Sequence, residues 1–361
     1  MNNIEKKKVV VGMSGGVDSS VTALILKQKG YDVTGITMNV WQRAETEKVC
    51  EKACCAVDSV SDARRVCASL DIPFYVLNFK DVFKELVIDD FAKEYMEGRT
   101  PNPCIMCNRY VKFETLLNKS ISMGAEYIAT GHYARVEYSE KTDRYYLRKS
   151  VTDKKDQTYA LYNLTQDQLK HIIMPLGDYT KEEVREIAAD NGLINANKHD
   201  SQEICFVEDN NYAKFIEDNY GYVSKPGNFV NKAGKTLGTH KGIIHYTIGQ
   251  RRGLGLSLKK PLYVISLDVI NNTVVLGEEK ELLADSLVCT KVNFMTFEKL
   301  DKPMKVSSKI RYNSSPVMST IISMENGDVK VVFDEPVKAV TPGQAVVFYD
   351  GDTVVGGGTI I

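Results

Sequence analysis

Residues 9–26 contain an apolar run, a glycine-rich turn and a helical pattern in direct succession, VVVGMSGGVDSSVTALIL. The valines indicate a buried strand, and the apolar spacing after Asp18 indicates a helix. Glycines let a backbone approach an anion closely, and a helix N-terminus favours negative charge through its N–H groups and dipole. Ser14 to Ser19 therefore predict a phosphate-binding loop, although a ligand-free turn capped by Asp18 or Ser19 would show the same pattern. The loop has neither a Walker ending nor Rossmann spacing.

Short β-rich runs alternate with helical patterns through the first 130 residues. The runs are KVVVGM at 8–13, DVTGITM at 32–38, PFYVLNF at 73–79 and EYIATGHY at 126–133. Strands separated by helices indicate βαβ units, so we expect an α/β fold with a doubly wound parallel sheet. Ligands bind such sheets at the carboxyl ends of the strands.

The remaining chain divides by composition. TKEEVREIAADNGL at 180–193 predicts a helix with Thr180 and Glu183 as a capping box and Gly192 as its end. Glycine and lysine become frequent from about residue 212, and from about residue 282 apolar and polar residues alternate around Pro-Gly and Asp-Gly turns. We expect three domains: the α/β domain at 1–209, a small basic glycine-rich domain at 210–281 and a C-terminal β-barrel at 282–361.

Charge and hydropathy limit the class of protein. The formal net charge is −1, no run of eighteen apolar residues occurs, and the N-terminus does not read as a signal or transit peptide. The expectation is a cytoplasmic protein with no membrane association. Residues 225–260 nevertheless carry eight Lys or Arg and no Asp or Glu. This basic run predicts either a polyanion-binding surface or a solvated loop region.

The chain has eight cysteines: Cys50, Cys54, Cys55, Cys67, Cys104, Cys107, Cys205 and Cys289. Cys104 and Cys107 have the spacing of a zinc site, a disulfide, an iron–sulfur site or a sulfur-handling pair, and the spacing alone does not choose among these. A cytosolic location disfavours a permanent disulfide, and the lack of a second Cys-x-x-Cys pair disfavours structural zinc.

The motifs also carry a family resemblance. Ser-Gly-Gly-Val-Asp-Ser at 14–19 resembles the loop of the PP-loop ATP pyrophosphatases, which activate a carbonyl oxygen as an adenylate and release pyrophosphate. GRTPNPCIMCNRYVKF, YIATGHYA, KDQTYALY, DSQEICFVED, HYTIGQRRGLG and AVTPGQAVVFYDG occur in the order and spacing of the tRNA 2-thiouridylases of the MnmA/TrmU family. The resemblance runs from Val9 to the last strand.

The resemblance implies ATP-dependent sulfuration of carbon 2 of the wobble uridine, with Mg²⁺ held beside Asp18 and the neighbouring hydroxyls. Cys205 matches a persulfide-bearing cysteine and Cys107 its partner in sulfur transfer. The positions that match ATP contacts are Gly12, Met13, Ser14, Gly15, Gly16, Val17, Asp18, Ser19, Met38 and Gly131. The expected partners are tRNAs of the Lys, Glu and Gln types and a persulfide donor, either a cysteine desulfurase or a relay protein.

The resemblance also implies a tRNA-binding set. Asn102, Pro103 and Cys104 match the stretch that meets the target base, and the other matching positions are His132, Lys155, Asp156, Gln157, Arg311, Tyr312 and Gln344. A base splayed out of a single-stranded loop is a usual target for such recognition. Plainer interpretations are a satisfied polar residue for His132, a core cysteine for Cys205 and a barrel aromatic for Tyr312.

One position departs from the family pattern. Many relatives have an aspartate where this chain has Cys104, so an acid–base role there would need a thiol with a depressed pKa. Arg109 and Lys112 are close in sequence and could lower it. An alternative mechanism has Cys104, Cys107 and Cys205 hold a [4Fe–4S] cluster. The competing functions are a non-catalytic tRNA-binding protein and a PP-loop ligase acting on a small molecule.

Overall fold

The computed structural model describes residues 6–41, 57–198, 204–207, 210–257 and 260–361. The chain forms two compact units. The first unit comprises Met1–Val87, Cys104–Phe206 and Asp352–Val354, and the second comprises Ile88–Pro103, Val207–Gly351 and Val355–Ile361. Cys50, Cys54 and Cys55 lie outside the described residues.

The first unit contains a parallel five-stranded sheet and a hairpin. Its strands are β1 (Lys8–Gly12), β2 (Asp32–Asn39), β3 (Phe74–Asn78), β4 (Tyr127–Ala129), β5 (Ala134–Ser139), β6 (Arg144–Lys149) and β7 (Ile172–Ile173). The sheet order is β3-β2-β1-β4-β7, with every pairing parallel, and β5 and β6 pair in antiparallel fashion. The predicted parallel α/β sheet is confirmed. The hairpin strands β5 and β6 and the two-residue β7 were not among the strands predicted from the sequence.

Helices cover this sheet and connect its strands. In the described ranges the α-helices of both units are α1 (Val17–Gln28), α2 (Val57–Ser69), α3 (Lys80–Phe83), α4 (Asp89–Met96), α5 (Pro103–Met106), α6 (Leu117–Ser122), α7 (Gln166–Leu169), α8 (Lys181–Asp190) and α9 (Tyr212–Tyr220). π-helical segments occupy Lys84–Ile88 and Cys107–Leu116, and short 3₁₀ turns lie at Thr158–Ala160, Pro175–Asp178, Ile243–His245 and Glu279–Leu282. The capping box predicted for α8 is present, with both hydrogen bonds between Thr180 and Glu183.

The core of the first unit explains why α1 is held firmly against the sheet. Val9 and Val11 of β1 pack with Val17 and Val21 of α1, and all four are almost fully buried. Residues of α2 and α8 belong to the same cluster. Alternate residues of a strand point to one face, so β1 fixes the helix that follows it through one apolar face.

The second unit contains a small sheet and a barrel. The small sheet has the order β10-β11-β8-β9, with bounds β8 (Gly227–Asn231), β9 (Thr236–His240), β10 (Tyr263–Asp268) and β11 (Thr273–Gly277). Its core centres on Phe229, Val264 and Val274, each 0% exposed.

The C-terminal strands form a closed six-stranded barrel. They are β12 (Leu283–Phe294), β13 (Met304–Lys309), β14 (Val317–Ser323), β15 (Val329–Lys338), β16 (Ala345–Asp350) and β17 (Thr353–Ile360). The order β12-β15-β14-β13-β16-β17 is closed by antiparallel pairing of β12 with β17, which includes Cys289 opposite Ile360. Closure removes the exposed edges of the sheet. The predicted barrel is confirmed, and within the described ranges no helix has the length and apolar character needed to cross a membrane.

Candidate functional site

The predicted phosphate loop lies where β1 ends and α1 begins. Gly16 is the N-cap of α1 and makes no side-chain capping hydrogen bond. The first amides of an α-helix have no partner within the helix, so they and the helix dipole offer a site for an anion. This placement matches the general rule for ligands at the carboxyl ends of parallel strands.

Hydroxyl groups brace the loop from within. Ser14 N–H donates to Ser19 Oγ at 3.2 Å, and Ser19 Oγ donates to the carbonyl oxygen of Gly16 at 3.0 Å. Ser20 Oγ donates to the same carbonyl at 3.0 Å. These bonds fix the peptide groups around Gly16 before any ligand binds.

Asp18 in the first turn of α1 is held by two side chains from distant parts of the sequence. Lys181 Nζ donates to both carboxylate oxygens of Asp18, at 2.7 and 2.9 Å, and Tyr133 OH donates to Oδ1 at 2.8 Å. Lys181 is 6% exposed. Lys181 is the first residue of α8, where both burial and the dipole of that helix disfavour a positive charge. The Asp18 carboxylate offsets both effects.

Other predicted nucleotide contacts come from the strands next to β1. Gly131 follows β4, and a Cβ built on it would lie 2.8 Å from the backbone carbon of Asp18, so only glycine allows this approach. Met38 lies near the end of β2, where Thr37 Oγ1 donates to the carbonyl oxygen of Met13 at 2.7 Å. The sheet therefore brings Gly12–Ser19, Met38 and Gly131 to one edge.

His132 follows Gly131 and is partly buried. Its Nδ1 lies 2.7 Å from Thr130 Oγ1, and its ring packs 5.8 Å from the ring of Phe113. Burial lowers the pKa of His132 well below its usual value, and the charge of Lys112 lowers it further. The imidazole is therefore neutral at pH 7.

The predicted tRNA contacts at residues 155–157 adjoin the same region. The Asp156 carboxylate is buried and accepts hydrogen bonds from Ser150 N–H at 3.3 Å and from Thr158 Oγ1 at 2.6 Å. Gln157 Oε1 accepts from the N–H of Tyr133 at 2.9 Å. Asp156 and Gln157 therefore make hydrogen bonds within the protein that hold residues 155–157 in place. Lys155 is partly exposed, whereas Asp156 is buried.

Cys104 and Cys107 lie on consecutive helical segments, α5 and the π-helical stretch that follows it. Cys104 is exposed and Cys107 is partly buried. The cations expected near Cys104 are engaged elsewhere: Arg109 donates to the carbonyl oxygen of Asn163, and Lys112 Nζ donates to Asn108 Oδ1 at 2.9 Å. Both acceptors are neutral oxygens, so the two side chains keep their positive charge, and activation of Cys104 by them stays a prediction.

Cys205 lies in a turn of the first unit and is partly buried, so it is not a core cysteine. Its neighbour Phe206 is buried and packs edge-on against Phe83, with ring centroids 5.7 Å apart. Residues 199–203 and 208–209 around it lie outside the described ranges. Among the residues that are described, no group of three or more His, Cys, Asp or Glu could hold a metal ion, and the [4Fe–4S] alternative finds no support.

In the second unit, Gln344 contacts the segment that leads to Asn102 and Pro103. Its Nε2 donates to the carbonyl oxygens of Thr100, at 2.7 Å, and Pro101, at 3.4 Å. Thr100 N–H in turn donates to the carbonyl oxygen of Pro342 at 2.9 Å. The β-barrel therefore fixes the backbone just before the predicted base-contacting stretch.

Arg311 and Tyr312 follow β13. Arg311 donates to the carbonyl oxygen of Ala339 and, at 2.8 Å, to Thr341 Oγ1. Tyr312 is 40% exposed and lies under the ammonium of Lys309, so it is not a buried barrel aromatic.

The basic run at residues 225–260 is largely a surface feature. Its described cations are all exposed: Lys225, Lys232, Lys235, Lys241, Arg251, Arg252 and Lys260. Lys232 and Lys260 form ion pairs with Glu281 and Glu278, at 3.2 and 3.7 Å. These acids lie outside the run, so the surface is less basic than its sequence indicates.

Family models cover most of the chain. A tRNA methyl transferase HUP domain matches residues 7–209, a tRNA methyl transferase PRC-barrel domain matches 213–278, and an aminomethyltransferase beta-barrel domain matches 284–360. The tRNA-specific 2-thiouridylase MnmA of Acetivibrio thermocellus is 58% identical over 99% of this chain and 100% of its own length. The chain belongs to the MnmA family. Relatives with the same description from Clostridium beijerinckii and Clostridioides difficile are 57% and 54% identical, each over 98% of this chain and at least 98% of their own lengths.

Among solved structures, a 4-thiouridine synthetase in complex with RNA and ATP is 15% identical, covers 59% of this chain and 50% of its own, and has a TM-score of 0.32. This likeness is too low to add to the assignment to the MnmA family.

Sequence reasoning missed four residues behind the loop of this family member: Tyr133, Lys181, Asn195 and Lys198. Lys181 stands in a recognisable capping box, which predicts its helix position but not its partner 163 residues away. For Asn195 and Lys198 no local pattern gave a signal, because their contacts with the loop exist only in the folded chain.

Proposed function

We propose that the protein is an ATP-dependent tRNA sulfurtransferase that replaces the oxygen on carbon 2 of the wobble uridine with sulfur. The identity of 58% to a curated 2-thiouridylase over essentially the full lengths of both chains carries this proposal. Two of the matching domain models have "methyl transferase" in their descriptions. A loop that fits phosphates, with three cysteines in the same unit that are not buried (Cys104, Cys107 and Cys205), fits thiolation better than methyl transfer.

The loop residues fit the phosphates of ATP. The N-terminus of α1 has no side-chain cap at Gly16, so its first amides are available to phosphate oxygens. Met38 and Gly131 border the same edge of the sheet and would contact the nucleoside.

Asp18 also fits a role toward Mg²⁺. Magnesium usually keeps several waters and takes one or two carboxylates together with phosphate oxygens. A carboxylate has about four lone-pair directions, of which Lys181 and Tyr133 use three here. Mg²⁺ bound with ATP would neutralise charge at the phosphates, and Lys181 and Tyr133 orient the Asp18 carboxylate.

The sulfur chemistry is assigned to Cys205 and Cys107. The O2 of uridine attacks the α-phosphorus of ATP, pyrophosphate leaves, and the terminal sulfur of a Cys205 persulfide attacks carbon 2, so that AMP departs with the original oxygen. The Cys107 thiolate then attacks the Cys205 sulfur, which frees the thiouridine and leaves a Cys107–Cys205 disulfide. An external thiol reduces this disulfide, and a persulfide donor reloads Cys205.

The tRNA side is assigned to residues of both units. Asn102, Pro103 and Cys104 would meet the target base, with Gln344 fixing the preceding backbone. His132 and Lys155 to Gln157 would contact tRNA from the first unit, and Arg311 and Tyr312 from the second. The exposed basic run at 225–260 would contact phosphates. The domain boundaries at 209/210 and 281/282 also stay a prediction.

Pyrophosphate release with and without tRNA tests this function. We expect release from ATP only when a tRNA with a wobble uridine is present, and 2-thiouridine in the digested tRNA when a persulfide donor is added. A Cys205→Ser variant should still release pyrophosphate in the presence of tRNA but form no thiouridine, whereas Cys289→Ser, a buried barrel cysteine, is the matched control.

Two other outcomes would contradict the proposal. Binding of tRNA without any pyrophosphate release would indicate a non-catalytic tRNA-binding protein. Release that does not need tRNA would indicate a ligase acting on a small molecule.

A further inference from the structure

The back of the phosphate loop is held by two side chains that no predicted contact includes. Asn195 Nδ2 donates to the carbonyl oxygen of Gly15 at 3.2 Å, and Lys198 Nζ donates to the same oxygen at 3.4 Å. Asn195 is 4% exposed. Both residues follow α8 in the chain, about 180 positions after the loop that they contact.

Gly15 needs such support because its backbone is unusual. Its φ of +73° lies in the left-handed region, and a Cβ there would lie 2.2 Å from the carbonyl oxygen of Ser59 in α2. Glycine has many alternative conformations, so a peptide group beside it changes direction easily unless it is bound.

The direction of the Gly15 carbonyl determines where the next N–H points. In a planar trans peptide the C=O of Gly15 and the N–H of Gly16 point in opposite directions. With the carbonyl bound at the back, the Gly16 N–H lies on the exposed side, where it makes a long contact of 3.4 Å with Ser14 Oγ. The hydroxyl groups of Ser19 and Ser20 donate to the Gly16 carbonyl oxygen. The Val17 N–H of the same peptide group therefore points away from these two hydroxyls.

The hydrogen-bond network defines the orientation of the Asn195 amide. Ser20 Oγ donates its proton to Gly16 O, so it accepts from Asn195 Nδ2 at 2.8 Å. Both N–H groups of the amide are therefore used, one on Ser20 and one on Gly15. A flipped amide would set oxygen against oxygen at Gly15, so position 195 requires a donor.

Lys198 supplies a weaker second contact. Its ammonium also binds Asp62 Oδ2 of α2 at 2.7 Å, a carboxylate that it shares with Arg65. The distance to Gly15 O is longer than that of the asparagine, so Asn195 makes the main contact.

We propose that Asn195, assisted by Lys198, is a positioning residue that fixes the Gly15–Gly16 peptide so that the Gly16 N–H faces the pyrophosphate part of ATP. This inference rests on the proposed function, since it takes the anion in the loop to be part of ATP. Asn195 touches no substrate and acts through the loop backbone. Removal of the Asn195 side chain should therefore weaken binding of the phosphates and leave binding of the nucleoside unchanged.

Binding measurements that separate phosphate from nucleoside test this proposal. ATP and pyrophosphate would be titrated by calorimetry, and adenosine by ligand-observed NMR, on the full-length protein. Asn195→Ala should weaken ATP and pyrophosphate binding by about tenfold, the effect of one positioned hydrogen bond to a charged group, with adenosine binding unchanged. Asn195→Asp, which places an acceptor against Gly15 O, should weaken both more strongly.

The control is Asn191→Ala, which removes an exposed asparagine at the end of α8 that does not contact the loop. It should match the unmodified protein for all three ligands. Lys198→Met should weaken ATP binding by about threefold. This variant tests the same proposal if the Asn195 variants do not fold.

The outcomes separate the two claims. If the unmodified protein binds ATP and Asn195→Ala binds it equally well, or if the variant loses adenosine and ATP to the same extent, the positioning role is wrong and the proposed function stands. If the unmodified protein binds neither ATP nor pyrophosphate, both claims fail.

Discussion

Removal of Lys181 should loosen the start of α1 more than its single charge suggests. Breaking a fully buried ion pair by deleting one partner costs about 3–5 kcal/mol. Here the Lys181 side chain is 7% exposed but the Asp18 side chain is 29% exposed, and Tyr133 continues to donate to the carboxylate. Water and Tyr133 therefore compensate part of the loss, and we expect Lys181→Met to cost about 2 kcal/mol.

Native-state hydrogen exchange is the appropriate assay because a chain with two compact units does not unfold in a single step. Peptides from α1 and α8 should exchange about thirtyfold faster in Lys181→Met, the rate ratio that corresponds to about 2 kcal/mol. The matched control is Arg185→Met, an exposed cation one turn further along α8.

A double variant completes this experiment. Once Asp18 has been replaced by asparagine, Lys181→Met should cost clearly less, because the pair that it breaks is already gone. Exchange in α1 and α8 that is the same in Lys181→Met and Arg185→Met would refute the reasoning.

Three further predictions concern the rest of the site. Gly131→Ala should cost about 1–3 kcal/mol and weaken ATP binding, because the new Cβ would lie 2.8 Å from Asp18; unchanged ATP binding by calorimetry would contradict this. His132 has a lowered pKa, so the unfolded chain takes up a proton that the folded protein refuses, and the free energy of unfolding should fall as pH drops below about 6.5. His132→Gln should flatten that dependence between pH 7.5 and 5.5, measured as the opening free energy of first-unit amides by native-state hydrogen exchange corrected for intrinsic rates. An unchanged dependence on pH would contradict this role of His132. Gln344→Ala should raise hydrogen exchange around Thr100 and raise KM for tRNA but not for ATP, and an equal change in both KM values would argue for a general loss of structure.

The sequence was informative where local pattern decides structure. The valines of β1 and the glycines before Val17 predict a buried strand, a turn and a helix without help from the rest of the chain. Thr180 and Glu183 predict the start of α8 for the same reason. The barrel strands alternate apolar and polar residues around recognisable turns, so their presence was predictable as well.

Contacts between distant segments were not predictable in this way. Lys181 reaches Asp18 and Asn195 reaches Gly15 because α1, α2 and α8 share one core, and a single sequence gives no measure of that proximity. The π-helical stretch at Cys107–Leu116 was not predicted either; within it, Thr115 Oγ1 donates five residues back to Tyr110 O at 2.7 Å.

A single turnover with labelled sulfur tests whether Cys205 carries the sulfur that enters the uridine. Protein loaded with a ³⁵S persulfide, freed from its donor, would be mixed with ATP, Mg²⁺ and unmodified tRNA, and the tRNA nucleosides would then be separated. We expect label in 2-thiouridine only when ATP is present, and none from Cys205→Ser treated in the same way. Label entering uridine equally with the Cys205→Ser protein, or no label from the unmodified protein despite pyrophosphate release, would contradict the assignment of Cys205 as the sulfur carrier.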